Sequence, residues 1–196
     1  MNALDPAQLQ IVVLRPGATD LDEQGRITGS LDIPLSQDGA QQGLRSSAEL
    51  AAITIDRIYS APGIAARQTA KLMGESKNAK VRIEENLKNL NHGLWHGKRV
   101  DELKENQPKI FKQWQEHPEL VYPPGGETIE DARARAQLVI KRIKRKHKAG
   151  NIMLVTAEPL ASILLCELDG SNLESRWKIS GNHAEWTWVR GNALTV

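Results

Sequence analysis

A few residues of this sequence have side chains that could bind an anion or move a proton. Arg15 follows a short apolar run, residues 11–14, and is followed at once by Pro16. A guanidinium at such a place can hold an oxyanion through a rigid fork of donors. His92 and His96 stand four residues apart, and imidazoles are both bases near neutral pH and metal ligands. The first functional question is therefore whether this chain acts on an anion.

The pair His92 and His96 has two interpretations. The two imidazoles could hold a metal or supply a substitute base. Alternatively, both are polar loop residues, because the neighbouring glycines argue against a regular helix that would align the rings. We favour the loop interpretation and predict no metal site and no cofactor, since short patterns of this kind often arise by chance. His183, farther along, is interpreted as a structural or surface residue.

Strands that alternate with helices must position these side chains. Apolar runs predict strands at 11–14, 57–60, 81–83 and 151–155, and edge strands at 185–189 and 193–196. Periodicity and capping residues predict helices at 40–52, 62–74, 128–147 and 159–168, and one or two helices within 100–116. The order predicts an α/β fold, a three-layer sandwich with a mostly parallel central sheet flanked by helices. Arg15, Ser60 and Thr156 then share the carboxyl edge of the sheet, where sites form in such folds.

Composition limits the classes of function. The 196 residues are 40% hydrophobic and 26% charged, which is ordinary for a globular chain, and we expect one domain over residues 1–196. The net charge of +2 and a basic run at 141–148, interpreted as a solvated helix end, do not favour nucleic acid as a partner. The single cysteine, Cys166, excludes an intrachain disulfide and fits the cytoplasm. We expect no signal peptide and no membrane segment.

Six segments, in order, resemble those of the histidine phosphatase (phosphoglycerate mutase-like) superfamily. The first is the Arg15-Pro16-Gly17 turn, and the fifth is Pro-Gly-Gly-Glu-Thr at 124–128, with Asp131 and Arg135 beyond it. The other four lie at residues 25–36, 58–70, 87–97 and 152–156. One such segment would be weak support, whereas six at the right separations identify the chain as similar to this family over nearly its whole length.

The resemblance implies a set of phosphoryl-transfer roles, and several positions depart from the family's pattern. The family's turn is Arg-His-Gly, and its histidine is the nucleophile that becomes phosphorylated. Here that position is Pro16, which has no nucleophilic side chain and no proton to transfer. The family's first phosphate-binding arginine corresponds to Arg15 and is retained, whereas its second corresponds to Ala65. The general acid corresponds to Asn89, which has no acidic proton.

The remaining correspondences put carboxylates where the family binds phosphate. Its second histidine corresponds to Ala157 and the following glycine to Glu158, while an asparagine corresponds to Asp22. Each carboxylate close to a phosphate costs about 1–4 kcal/mol at intermediate dielectric. We therefore expect Arg15 to be neutralised by Asp22 or Glu158 more than to bind a ligand. The predicted vestigial pocket comprises Arg15, Asp22, Ser60, Ala65 and Glu158.

Taken together, the sequence predicts a catalytically inactive histidine phosphatase-like protein, a pseudophosphatase with a binding or regulatory role. Its partner would be an unknown small molecule or protein. One alternative is a hydrolase with a rebuilt active site that uses His92 or His96. Another is a structural oligomeric module, with a homodimer formed through the edge strand that carries Trp186 and Trp188.

Overall fold

A sheet of five strands forms the centre of the part of the chain that the structure describes, and across the sheet the strands are, in order, Lys80–Ile83, Arg57–Ser60, Gly150–Val155, Leu9–Leu14 and Trp186–Val189. The computed structural model describes residues 8–177 and 182–189. The strands are β1 (Leu9–Leu14), β2 (Arg57–Ser60), β3 (Lys80–Ile83), β4 (Gly150–Val155) and β5 (Trp186–Val189). All pairs are parallel except β1 with β5, which is antiparallel. The α/β class and the mostly parallel sheet flanked by helices are confirmed.

In the described ranges, eight α-helices connect or flank the strands. They are α1 (Asp20–Glu23), α2 (Gln37–Glu49), α3 (Ile64–Lys77), α4 (Val100–Asn106), α5 (Pro108–Glu116), α6 (Ile129–Lys146), α7 (Leu160–Asp169) and α8 (Leu173–Arg176). Short 3₁₀ turns occupy Glu85–Leu87, Gly93–Trp95 and Pro118–Leu120. Among the described residues, no helix is long and apolar enough to cross a bilayer.

Local chemistry explains where the predicted helices begin and end. The helix predicted at 40–52 begins earlier, because the Ser36 hydroxyl caps α2 by accepting from the Gly39 amide. The segment 100–116 is two helices, since Gln107, with φ −137° and ψ 57°, lies outside the helical region, which the residue before a proline disfavours. Helix α6 begins after the cap residue Thr128 as expected. The edge strand predicted at 193–196 lies outside the described residues.

The core is centred on the middle strands. All six residues of β1 are buried, and the last four of β4 are buried too. Each fully buried aliphatic side chain contributes roughly 1.5–3 kcal/mol, so these strands fix the loops that follow them. A second, aromatic cluster lies beside this core and contains Ile27, Trp95, Leu103, Phe111 and Trp114.

One sequence segment that carried the family resemblance has a structural role in the fold. Arg135 on α6 makes a two-pronged ion pair with Glu127, with nitrogen–oxygen distances of 2.6 and 2.9 Å. Its remaining nitrogen donates to the carbonyl of Asn86 at 2.7 Å. Such fork-to-carboxylate pairs are among the stronger polar contacts in proteins. Through the bond to Asn86, Arg135 therefore fastens the turn at Glu85–Leu87 to α6.

Candidate functional site

A cavity of about 540 Å³ opens at the carboxyl ends of β1, β2 and β4. Its floor comes from residues 15–17 and 157–158, and one wall from residues 61–66. A second wall is the segment 25–33, here called the strap, which also lines the cavity. This is the edge at which the sequence placed a site, and it lies where crevices form in parallel sheets.

The floor of the cavity is dominated by Arg15, which is 9% exposed. One terminal nitrogen of its guanidinium lies 3.1 Å from a carboxylate oxygen of Glu158, and the other contacts the carboxylate of Glu185. The Arg15 backbone amide also donates to the Glu185 carbonyl at 2.9 Å. Two carboxylates therefore surround the cation. The predicted pairing with Glu158 is confirmed, and the partner that the sequence did not indicate is Glu185.

Glu158 is held from two sides. One of its oxygens faces Arg15, and the other accepts from the Ser162 amide at 3.1 Å, in the first turn of α7. An anion at a helix N-terminus is favoured by the helix dipole and by amides that lack partners inside the helix. The Glu158 side chain is 11% exposed. Its position is therefore fixed by both the strand end and the helix that follows.

Of the two alternative partners that the sequence predicted for Arg15, Asp22 is the one that makes other contacts. One Asp22 oxygen accepts from the amide and the hydroxyl of Thr19, at 2.8 and 2.7 Å. The other accepts from the Thr28 hydroxyl at 2.8 Å. These contacts form the capping box of α1 and tie it to the strap. Asp22 lines the cavity, but its carboxylate holds the loop.

The turn that contains Pro16 and Gly17 is closely packed. The Pro16 carbonyl accepts from the Ala184 amide at 2.9 Å, and the Gly17 amide donates to the Thr69 hydroxyl at 3.2 Å. A β-carbon at Gly17 would lie 2.1 Å from the carbonyl oxygen of Gly39. The backbone at Gly17 is therefore in close contact with the backbone at Gly39. This contact and the hydrogen bond from Ala184 fix the position of Pro16 on the cavity floor.

Asn89, which lies at the cavity, makes three contacts to the main chain. Its amide nitrogen donates to the carbonyls of Gly29 and Glu158, at 3.1 and 2.5 Å. Its amide oxygen accepts from the Leu160 amide at 3.3 Å. Both donors and the acceptor are thus engaged, and the side chain is 8% exposed. Asn89 links the strap to the beginning of α7.

Three other predicted pocket positions differ in what they contribute. Ala65 and Ala157 line the cavity with methyl groups only. Ser60 does not line it, contrary to the prediction, because it is fully buried and its hydroxyl donates to the Ala61 carbonyl at 2.9 Å. Thr156 is likewise buried, and its hydroxyl donates to the Leu87 carbonyl at 2.7 Å. These last two hydroxyls hold the loops behind the cavity.

His92 and His96 lie beneath the strap on either side of the 3₁₀ turn Gly93–Trp95. The His96 ring nitrogen Nε2 accepts from the backbone amides of His92 and Ser30, at 3.1 and 3.3 Å. His92 is 5% exposed and packs edge-on against Trp114, with ring centres 5.7 Å apart. Both rings therefore make contacts within the loop, and His92 also lines the cavity.

The electrostatics of the pair agree with this packing. Burial, and next the nearby His96, lower the pKa of His92 from 6.5 to about 4. Burial, and next Lys88, also lower the pKa of His96. Both rings are thus neutral at pH 7, and the His96 nitrogen that a metal or proton would use already accepts two amides. Within residues 8–177 and 182–189, the single cluster of potential metal ligands is His117, Glu119 and Glu174, which is exposed and distant in sequence from this pair.

Sequence reasoning did not identify several of the residues that line the cavity, among them an aromatic residue and a histidine. Trp114 on α5 and His183 before β5 both line the cavity. Trp114 was indistinguishable from a core tryptophan, and it does belong to the aromatic cluster. The placement of His183 and Glu185 depends on the pairing of β1 with β5, whose register the sequence does not specify. That pairing sets Leu14 opposite Trp186 and so brings the residues before β5 beside Arg15.

The chain belongs to the histidine phosphatase superfamily. The model of branch 1 of that superfamily matches residues 11–193. A relative named phosphoserine phosphatase 1, from Hydrogenobacter thermophilus, is 27% identical over 181 residues, which cover 92% of this chain and 86% of the relative. The adenosylcobalamin/alpha-ribazole phosphatase of Escherichia coli is 21% identical over 181 residues, covering 92% and 89%.

Solved structures agree on the fold. The mycobacterial glucosyl-3-phosphoglycerate phosphatase, solved in complex with VO₃, superposes with a TM-score of 0.83 at 25% identity, covering 91% of this chain and 90% of that one. YhfR of Bacillus stearothermophilus superposes with a TM-score of 0.81 at 24% identity, covering 92% and 90%. The chain is thus similar to phosphatases along almost its entire described length.

Proposed function

We propose that this chain is a pseudophosphatase: it keeps the phosphatase scaffold, binds a ligand or partner in the cavity, and does not transfer phosphoryl groups through a phosphohistidine. The observation that carries the proposal is the double pairing of Arg15 with Glu158 and Glu185. The cation that would hold a phosphoryl group is already neutralised by two carboxylates. A phosphate would have to displace both before it could reach the guanidinium.

The reacting groups support the same conclusion. Transfer through this scaffold needs a nucleophile at the turn after β1 and an acid near the leaving group. The turn carries Pro16, and the position of the acid carries Asn89. Neither side chain can form a bond to phosphorus or give up a proton. Loss of a nucleophile alone typically removes several orders of magnitude of rate.

The named relatives are phosphatases, and this favours the opposite expectation, that the chain also hydrolyses phosphate esters. Their names describe those proteins, and the same scaffold can carry different sites. The rebuilt-enzyme alternative, with His92 or His96 as the base, is not supported by the contacts of these rings. The oligomeric alternative is not supported by Trp186 and Trp188, which pack on the main core. Cytoplasmic localisation and a single domain over residues 1–196 remain predictions.

The test is a search for turnover and for a phosphoenzyme. The protein is incubated with an aryl phosphate and with phosphoserine, phosphate release is measured against heat-treated protein, and acid-labile phosphorylation is sought by intact-protein mass spectrometry. We expect neither signal. Turnover above the heat-treated control would overturn the proposal, and its loss in His92→Ala, His96→Ala or His183→Ala would identify the histidine that the enzyme uses.

A restoration series makes the test sharper. The variant Pro16→His/Ala65→Arg/Asn89→Glu/Ala157→His supplies the groups that the family resemblance implies. We expect little activity from it, because Glu158 and Glu185 still occupy Arg15. A second variant carries these four substitutions together with Glu158→Gly and Glu185→Gln. We expect it to hydrolyse phosphate esters faster than the variant with four substitutions alone. If the variant with four substitutions were already fully active, the carboxylates of Glu158 and Glu185 would not block the site.

A further inference from the structure

The charge of the cavity lining points to the class of ligand. Counting histidines as neutral, the described lining residues carry three cationic side chains against five carboxylates, a formal charge of −2. The cations are Arg15, Arg26 and Lys88, and the carboxylates are Asp22, Asp32, Glu85, Asp101 and Glu158. A cavity lined in excess by one sign of charge concentrates ligands of the opposite sign. The cavity therefore disfavours an anion.

Two of the three cations are already engaged by the protein. Arg15 contacts Glu158 and Glu185, and the second of these adds another negative charge at the floor. Arg26 donates to the Gly97 carbonyl at 2.6 Å and to the Gln24 side chain at 3.0 Å. Lys88 is exposed. The charge that a ligand meets at the bottom of the cavity is consequently negative.

The remainder of the lining suits an uncharged body. The side chains of Ile27, Ile64 and Val100 line the cavity, and Trp114 adds an aromatic surface. The volume of about 540 Å³ lies inside the range of small-molecule sites. Aromatic rings also attract ammonium groups that lie over them. The volume, the apolar lining and the negative charge of the cavity therefore all favour a small cationic molecule with an apolar body.

Building on the proposed function, we infer that the cavity binds a small organic amine, a molecule with one ammonium group and an apolar or aromatic body. The ammonium group is drawn to the carboxylates of the strap and floor, Asp32 and Glu158 among them. The apolar body packs on the wall that Ile27 and Trp114 share.

Three probes of matched shape test the inference, namely benzylamine, benzyl alcohol and benzyl phosphate. Their binding to the full chain is measured by ligand-observed NMR and calorimetry at fixed ionic strength. We expect benzylamine to bind about fivefold or more tightly than benzyl alcohol, and benzyl phosphate to show no saturable binding. Phosphate release from benzyl phosphate is followed in the same samples, and release would overturn the proposed function.

Substitutions test whether the negative charge of Asp32 contributes to the binding of benzylamine. Asp32→Asn keeps the oxygen that accepts from the Ile64 amide at 2.6 Å but removes the negative charge. We expect it to weaken benzylamine about threefold or more and to leave benzyl alcohol unchanged. Glu105→Gln, an exposed change on α4 away from the cavity lining, is the matched control and should alter neither. Equal binding of the three probes, tighter binding of benzyl phosphate, or no binding by any of them would overturn the inference while leaving the pseudophosphatase proposal standing.

Discussion

The guanidinium of Arg15 and the carboxylate of Glu158 lie 3.1 Å apart, joined across 143 positions of sequence. Both side chains are 11% exposed, so water screens the pair only weakly. Arg15 directly follows β1, and Glu158 follows β4, the parallel neighbour of β1. The sheet itself therefore brings a carboxylate to the place where a phosphate oxygen would have to lie.

Removing the two carboxylates that surround Arg15 should create an anion site. In Glu158→Gln/Glu185→Gln, the guanidinium keeps amide acceptors but loses its counter-charges. We expect a loss of about 1–3 kcal/mol of unfolding free energy, since a partly buried cation is left without its ionic partners. Phosphate or vanadate should then raise the melting temperature of the variant but not of the parent protein. Thermal unfolding at constant ionic strength measures both effects.

The control for this prediction is Glu75→Gln, which removes an exposed carboxylate 3.9 Å from Lys71 on α3. It should change neither stability nor the response to phosphate, because exposed helix pairs contribute little. Stabilisation of the parent protein by phosphate to the same degree as the double variant would contradict the occlusion of Arg15.

Asn89 should matter for stability more than an exposed asparagine does. Asn89→Ala leaves the carbonyls of Gly29 and Glu158 and the Leu160 amide without this partner, which costs about 1–3 kcal/mol. Asn89→Asp should cost more, because it sets a carboxylate oxygen against two carbonyls. The exposed Asn106→Ala should stay within about 0.5 kcal/mol of the parent protein. Chemical denaturation compares the three, and equal losses at 89 and 106 would refute the link between the strap and α7.

The sequence predicted the scaffold well because the scaffold depends on local patterns. Buried apolar runs and capping residues such as Thr128 are visible in the sequence itself. Glu158 was found as a possible partner of Arg15 because the family resemblance aligned it with a position beside the phosphate-binding residues. Asp22 lines the cavity, but the spacing could not decide whether Asp22 or Glu158 pairs with Arg15. The carboxylate of Asp22 can also cap locally through Thr19 and Thr28, and it does so in the structure.

The missed residues depend on register and on helix packing. Glu185 reaches Arg15 through the antiparallel pairing of β5 with β1, a register that the sequence does not specify. Trp114 lines the cavity because α5 packs its apolar face under the strap, together with Ile27. Such placements follow from contacts between distant elements, so they emerged only from the three-dimensional structure.

The turn after β1 should tolerate no side chain at Gly17. Gly17→Ala would place a β-carbon 2.1 Å from the Gly39 carbonyl oxygen, and neither backbone can move without disturbing β1 or α2. We expect a loss of at least about 2 kcal/mol, or failure to fold. Gly63→Ala is the matched control, because its nearest neighbour would be an Asp32 oxygen at 3.9 Å. A difference of less than about 0.5 kcal/mol between the two variants, measured by urea unfolding, would contradict the close packing of this turn.

The buried imidazole of His92 should make the protein less stable in mild acid. Its pKa is lowered from 6.5 to about 4 by burial and by His96, whereas in the unfolded chain it returns to its ordinary value. Between these two pH values the unfolded chain binds the additional proton, so unfolding becomes easier as the pH falls from 6.5 towards 4. The loss from this group is at most about 3 kcal/mol. His92→Phe keeps an aromatic ring against Trp114 and removes the proton site, so it should lose less stability over this range. The difference between the two pH profiles of unfolding free energy isolates His92 from every other acid-sensitive group, and parallel profiles would show that this ring is not protonated on unfolding in that window.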